Sequence, residues 1–247
     1  MVSAALVAAI VLSSAGTIDA HHAVLRFNLE EMTTTADRIF VGRCLAVEET
    51  EEMIAQGKLP VTLYTFEIER AIKGKLPKQI TIRQLGHPAR RAGKGGPITM
   101  HGRAVSPKTF LHGMSEYRVG DQMVLFLIPN YMGDKVTYPV GLYQGAFFVS
   151  DMPSGQKVVR NSINNLGLFT APYNGTSMRE SNAKFIFPER GEVRDAPQGL
   201  SAQTAGLVRK RGALPIEDFL GLVEQIVIAH GGERGAITGS QKGALKQ

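Results

Sequence analysis

The sequence holds one cysteine, Cys44, in 247 residues. That excludes an internal disulfide framework and any zinc site built on a cysteine pair. Tryptophan is missing altogether. No stretch combines basic residues with the aromatics that stack on bases, so nothing points to nucleic acid as a partner. There is no His-Glu-x-x-His, the helical pair with which metalloproteases hold zinc. Long apolar runs are scarce too. Residues 1–12 form the one candidate, shorter than the about 20 residues a membrane-spanning helix needs. No integral membrane segment is therefore expected in the mature chain.

That short run still carries information. Ser13-Ser14-Ala15-Gly16 follows it, and an apolar stretch ending in small residues has the form of an export signal. It lacks the usual Lys or Arg in front. Small-residue logic allows cleavage after Ala15 or after Ala20. The expectation is a signal peptide over residues 1–20 and a periplasmic or secreted product. About 230 residues then remain, enough for one domain or one and a half. A chain of that size buries a real core without staples. The formal charge is +6, and removing residues 1–20 deletes only Asp19, which raises the excess by one. Such a balance favours anionic surfaces.

Along the chain, Asn28 is a candidate N-cap for a short helix over residues 29–37, with Glu30 and Glu31 at its positive end. Residues 38–48 read as a strand containing Cys44, whose apolar setting predicts a buried, inert thiol. Glu48, Glu49, Glu51 and Glu52 read as a solvated turn or one helical turn. Residues 61–70 alternate with period two, a half-buried strand. Further strands are expected at 79–85, 122–128, 136–140, 144–149 and 157–160. Residues 86–113 interrupt this series with a basic, Gly-rich excursion, in which 98–105 reads as a short hairpin arm. Residues 161–214 shift to Asn, Gly, Ser and Pro and read as a linker or irregular segment. Residues 215–230 carry a helical apolar stripe of Phe219, Leu222, Val223, Ile226 and Val227. Gly231-Gly232 stops that helix and leaves 231–247 as a flexible tail.

The fold expected from this order is mainly β. It is a small, OB-like antiparallel barrel over residues 28–160 with a C-terminal amphipathic helix docked on it. Three stretches carry a resemblance: Ala36-Asp-Arg-Ile-Phe-Val-Gly-Arg43, Tyr64-Thr-Phe-Glu-Ile-Glu-Arg-Ala-Ile-Lys-Gly74 and Gly120-Asp-Gln-Met-Val-Leu-Phe-Leu127. Together they resemble a family of uncharacterised exported bacterial proteins. More distantly they resemble the inhibitory domain of tissue inhibitors of metalloproteinases and netrin-type modules. The resemblance covers roughly residues 36–150 and implies the OB-like barrel. Those animal inhibitors are disulfide-rich and seat an N-terminal cysteine on a catalytic zinc. No position here matches that cysteine.

Candidate chemistry is sparse. Cleavage after Ala20 would leave an amine and an imidazole on His21, next to His22, a chelate suited to Cu(II) or zinc. His87, His101 and His112 lie in the excursion, but their spacing fits no helical or hairpin ligand pair. Ser181-Asn-Ala-Lys184 matches Ser-x-x-Lys, yet the partner motifs Ser-Asp-Asn and Lys-Thr-Gly are missing. Gly93-Lys94-Gly95-Gly96 lacks the upstream glycine and the following Ser or Thr of a phosphate loop. Tyr64, Phe66, Tyr138, Tyr143, Phe147 and Phe148 sit in strand-like stretches, where aromatics serve as core more often than as a binding platform. No nucleophile–base pair can be named, and no cofactor is implied.

The resulting expectation is an exported, non-enzymatic binding or inhibitor-like module. It would act on a cell-envelope or extracellular protein, a metalloprotease being one such partner. Its contact element would be the basic loop, through Arg90, Arg91 and Lys94. One alternative is a periplasmic metal-binding protein using the mature amino terminus at His21 and His22. The other is an enzyme of a type the motifs do not name.

Overall fold

The computed structural model describes residues 26–54, 57–86, 98–100, 103–105, 114–128, 137–169 and 212–238. The chain is mainly β. Helix α1 (Leu29–Thr35) precedes β1 (Arg38–Ile54), β2 (Gly57–Lys73), β3 (Lys75–Pro77) and β4 (Gln79–Leu85). Then come β5 (Ile98–Met100), β6 (Arg103–Val105), β7 (Gln122–Leu127), β8 (Ala146–Asp151) and β9 (Lys157–Asn161). The described chain ends with β10 (Leu214–Pro215), helix α2 (Ile216–Ala229) and β11 (Ala236–Thr238). Seven strands form one antiparallel sheet in the order β10-β9-β8-β7-β1-β2-β4. Pairing of β1 with β7 joins the two strand groups on either side of the excursion. Within the excursion, β5 and β6 pair as an antiparallel hairpin.

The sheet is buried on both faces, which explains the near-continuous apolar run of β7. Its Val124 and Phe126 point to one core, and Met123, Leu125 and Leu127 to the other. This is the period-two alternation of a pleated strand. The first core lies under the helices. There Leu29 and Met32 of α1 and Phe219, Leu222, Val223, Ile226 and Val227 of α2 cover Ile39, Val41, Phe147 and Val159. Each such side chain contributes roughly 1.5–3 kcal/mol on burial, so this stripe alone explains why α2 docks. The second core holds Phe40, Cys44, Tyr64, Phe66, Ile82 and Tyr117 on the opposite face.

The β1–β2 ladder has register shifts between Ile39 and Phe40, Val41 and Gly42, and Cys44 and Ala46. Bulges of this kind bend a strand and increase its twist. Gly42 permits the bend: a Cβ there would lie 2.7 Å from the Glu67 carbonyl oxygen and 3.0 Å from the Phe40 ring. No pairing among the described strands joins the two edges, β4 and β10, so the strands do not close a barrel. Of the strand expected at 136–140, the described residues 137–140 form no strand either. The described part makes one bridge, Leu127 to Pro139, and a proline has no N–H to continue a ladder. Two backbone bonds flank that bridge, Ile128 N–H to Tyr138 O (3.0 Å) and Val140 N–H to Phe126 O (2.7 Å). A third crosses to the sheet edge, Thr137 N–H to Arg83 O at 2.9 Å.

Polar groups fasten the helices. Asn28 and Glu31 form a reciprocal capping box on α1. At its other end, Lys73 of β2 donates to the carbonyls of Thr33 (2.9 Å), Thr34 (3.3 Å) and Ala36 (2.6 Å). Those are the carbonyls a helix end leaves without partners. Burial lowers the Lys73 pKa, and nearby Asp37 opposes that shift. Arg70 ties β2 to α2 through Glu217 (2.9 Å) and Glu224 (2.8 Å). His230 Nε2 lies 2.7 Å from the buried Glu30 carboxylate, joining the end of α2 to α1.

Two expectations are corrected here, for the glutamates and for the start of the tail. The glutamates at 48–52 are in β1, not in a turn or helical turn, because β2 pairs with them along the whole stretch. Cross-strand pairing overrides the weak strand preference of Glu. The described start of the expected linker or irregular segment is a series of turns. Asn161 and Asn165 exchange side-chain-to-backbone bonds of 2.9 and 2.7 Å, and Leu168 is buried in the helix-side core. The supposed tail begins with order too: β11 pairs in parallel with β3. Gly235 fits so closely under it that a Cβ would fall 2.4 Å from the Ala71 carbonyl carbon.

Candidate functional site

Most residues singled out by the sequence lie outside the described residues. These are His21 and His22, the basic loop with Arg90, Arg91 and Lys94, His87, His101 and His112, and Ser181 with Lys184. Among the described residues, no group of three His, Cys, Asp or Glu side chains could hold a metal ion. No helix there is long and apolar enough to cross a membrane. Phe66 and Phe147 are fully buried and Tyr64 nearly so, so these three aromatics are core rather than platform.

The second core contains an aromatic cluster. Tyr117 packs edge-on against Tyr64 at 4.9 Å and Phe66 at 5.4 Å between ring centroids. Gln84 Nε2 donates to the Tyr117 hydroxyl at 3.4 Å. Burial pushes the Tyr64 phenol up to about 12, with the Glu116 charge adding to it. Burial also pushes Tyr117 well above the ordinary phenol value. Both phenols therefore stay protonated at neutral pH and hold hydrogen bonds rather than exchange protons. Cys44 is 1% exposed. Burial raises its thiol pKa, and the Asp121 charge raises it further. A protonated, buried thiol is a poor nucleophile.

The outward-facing feature is the far half of β1 and β2. β7 pairs with β1 only as far as Arg43, opposite Gln122. Cys44 then exchanges two backbone bonds with the preceding turn: its N–H donates to Asp121 O (2.9 Å) and its carbonyl accepts from Gly120 N–H (2.8 Å). Beyond that point, among the described residues, β1 pairs with β2 alone. β4 in turn joins β2 only from Val61 onward. Among the described strands, β2 is therefore the one that pairs with residues 48–54 of β1, and 48–54 and 57–60 form a two-stranded ribbon. Leu45 has no partner in the register and marks a bulge at the root. Leu45 is 37% exposed, Val119 beside the root 65%, and Met53 near the tip 63%. Between them Glu48, Glu49 and Glu51 are exposed.

A side-chain chain anchors the root. Arg43 Nε donates to Glu69 (3.1 Å) and its Nη1 to the Gly120 carbonyl (3.2 Å). Gln122 Nε2 donates to the same Glu69 carboxylate. Lys157 Nζ donates to Gln122 Oε1 at 2.9 Å and lies 3.4 Å from Asp151. Single exposed pairs are weak, but this series spans β2, β1, β7 and β9 and holds the ribbon's base to the sheet. The sequence offered a signal for the ribbon that propensity obscured. Gly57 opens β2 opposite Ile54, and Leu59-Pro-Val-Thr62 after it can answer the stretch before it. Four glutamates in five residues masked the hairpin.

Comparison of the chain with protein-family models, curated proteins and solved structures finds no match.

Proposed function

We propose that this is an exported, non-enzymatic binding module, inhibitor-like in its mode of action, whose target is a cell-envelope or extracellular protein. A secreted metalloprotease is one such target. The observation that carries this reading is the projecting ribbon. A sheet packed on both faces extends into a ribbon that exposes Leu45 and Met53, and extended strands of this kind are sites of recognition by other chains.

The OB-like architecture belongs to the same proposal. The stretches resembling the exported bacterial proteins and the metalloproteinase inhibitors fall on β1, β2 and β7, which are neighbours in the sheet. The bond from Thr137 to Arg83 and the bridge at Pro139 complete a path β1-β2-β4-(137–139)-β7-β1 around the second core. In this reading the ring is a small barrel whose last member is a short irregular segment.

The test is affinity capture from envelope and secreted fractions with the full chain and with residues 87–97 deleted. Partners are identified by mass spectrometry, and secreted metalloproteases are assayed directly for inhibition. The expected result is a defined partner captured by the full chain and lost on the deletion, while the far-ultraviolet spectrum is unchanged. Equal capture by both forms overturns the contact role of Arg90, Arg91 and Lys94. Absence of both capture and inhibition overturns the binding-module reading.

A further inference from the structure

We propose that the imidazole of His230, oriented by the buried carboxylate of Glu30, is the third nitrogen ligand of a Cu(II) or zinc ion held by the mature amino terminus at His21. The inference goes beyond the binding-module reading and rests on export with cleavage after Ala20. His230 caps the C-terminal end of α2. Its Nε2 lies 2.7 Å from Glu30 Oε1, and the two side chains are 19% and 5% exposed. A carboxylate oxygen accepts, so Nε2 carries the proton and the lone pair of the neutral ring sits on Nδ1. Nδ1 makes no hydrogen bond to any described residue. Nor is it a buried atom lacking a partner, so it meets solvent.

An imidazole with one nitrogen held by a carboxylate and the other turned to solvent has the arrangement of a metal-binding histidine. The carboxylate fixes the ring and makes the other nitrogen more basic. Zinc sites take three or four protein ligands, and the described residues alone hold no group of three His, Cys, Asp or Glu suited to a metal. The amino terminus supplies the remainder. A chain beginning at His21 carries an α-amine and an imidazole on one residue, a chelate suited to Cu(II) and zinc. Chain length brings the two parts together. Arg26 stands two residues ahead of the Asn28 cap of α1, and Glu30 is in the first turn. The Arg26 backbone therefore lies within about 13 Å of Glu30. Five peptide steps lead from His21 to Arg26, a reach of about 17 Å when extended. The chelate and His230 give three nitrogens and leave a fourth position for water or His22.

The test uses the chain expressed with residues 1–20 in place, recovered from the periplasm and stripped of metal with a chelator. Intact mass establishes the start at His21. Zn(II) binding is followed by titration calorimetry and Cu(II) binding by electron paramagnetic resonance. The expected result is one ion per chain, nitrogen hyperfine structure for Cu(II), and a shifted nitrogen NMR signal of His230 Nδ1 with Zn(II). Selective acetylation of the α-amine and His230→Ala should each weaken binding by roughly tenfold or more. Acetylation leaves the fold intact and the His230 signal is read on the unaltered protein, so the result does not depend on a variant folding. Equal binding after acetylation overturns the chelate at His21. An unmoved His230 signal at saturation overturns His230 as a ligand. In the metal-free chain, a neutral His230 ring with its proton on Nδ1 overturns orientation by Glu30. A mature chain that starts at Gly16, or no saturable binding of either ion, overturns the site altogether.

Discussion

The two halves of β1 are one strand in two environments. Its first half, Ile39 to Arg43, pairs with β2 on one side and β7 on the other. Both faces there are covered, with Ile39 and Val41 under the helices and Phe40 in the aromatic core. Among the described strands its second half pairs with β2, and it exposes Glu48, Glu49, Glu51 and Met53. Pairing and burial both differ between the halves. The first half therefore specifies the fold, while the second half is the part that the proposed binding role would use.

The largest expected effect sharpens that contrast. Phe126→Ala, opposite Ile39 in the ladder, should cost about 3–5 kcal/mol in chemical denaturation. Met53→Ala on the ribbon should stay within about 0.5 kcal/mol. Comparable losses at both sites would erase the distinction. Next comes the bend between the halves. Gly42→Val sets a side chain against the Glu67 carbonyl and should cost about 1–3 kcal/mol, with the disturbance confined by chemical shifts to β1 and β2. A neutral outcome would show that the bend does not need the glycine.

A pH dependence follows from the aromatic core. In the unfolded chain Tyr64 ionises at its ordinary value of 10.0, but in the fold only at about 12. Over that window the folded state holds the proton and the unfolded state does not. Stability is thus full below pH 10 and falls as pH rises toward 12. Tyr64→Phe should flatten part of this fall in urea melts across that range. An unchanged slope would place the phenol in contact with solvent. The smallest of these effects is at the helix. Lys73→Met removes the three carbonyl contacts at the end of α1 and should cost about 1 kcal/mol, with faster amide exchange at α1 and no change in the ribbon.

What was legible in the sequence follows the same division. Gln79–Leu85 is matched to the residue because its alternation reflects one buried face. The apolar run at 122–128 announced a strand buried on both sides. Asn28 and Glu31 announced the start of α1 through side-chain chemistry that acts locally. The ribbon was not legible, because its pairing partner alone makes it a strand and no buried face imposes a pattern. Residues 161–169 show no periodicity for a related reason. Their order comes from amide side chains bonding to distant backbone, as Asn165 does to Gly212 at 2.8 Å, and such bonds leave no periodicity. β11 rests on the close fit of Gly235 against Ala71 and Ile72, a contact that composition cannot announce.

Native-state amide exchange along β1 in the free full chain tests the central claim most directly. The account predicts that the hydrogen-bonded amides of residues 39–43 exchange only through global unfolding. Alternate amides of residues 48–53, those facing away from β2, exchange at near-unfolded rates while their neighbours are protected. Uniform strong protection from Arg38 to Ile54 would contradict it, because the two halves of β1 would then be held alike.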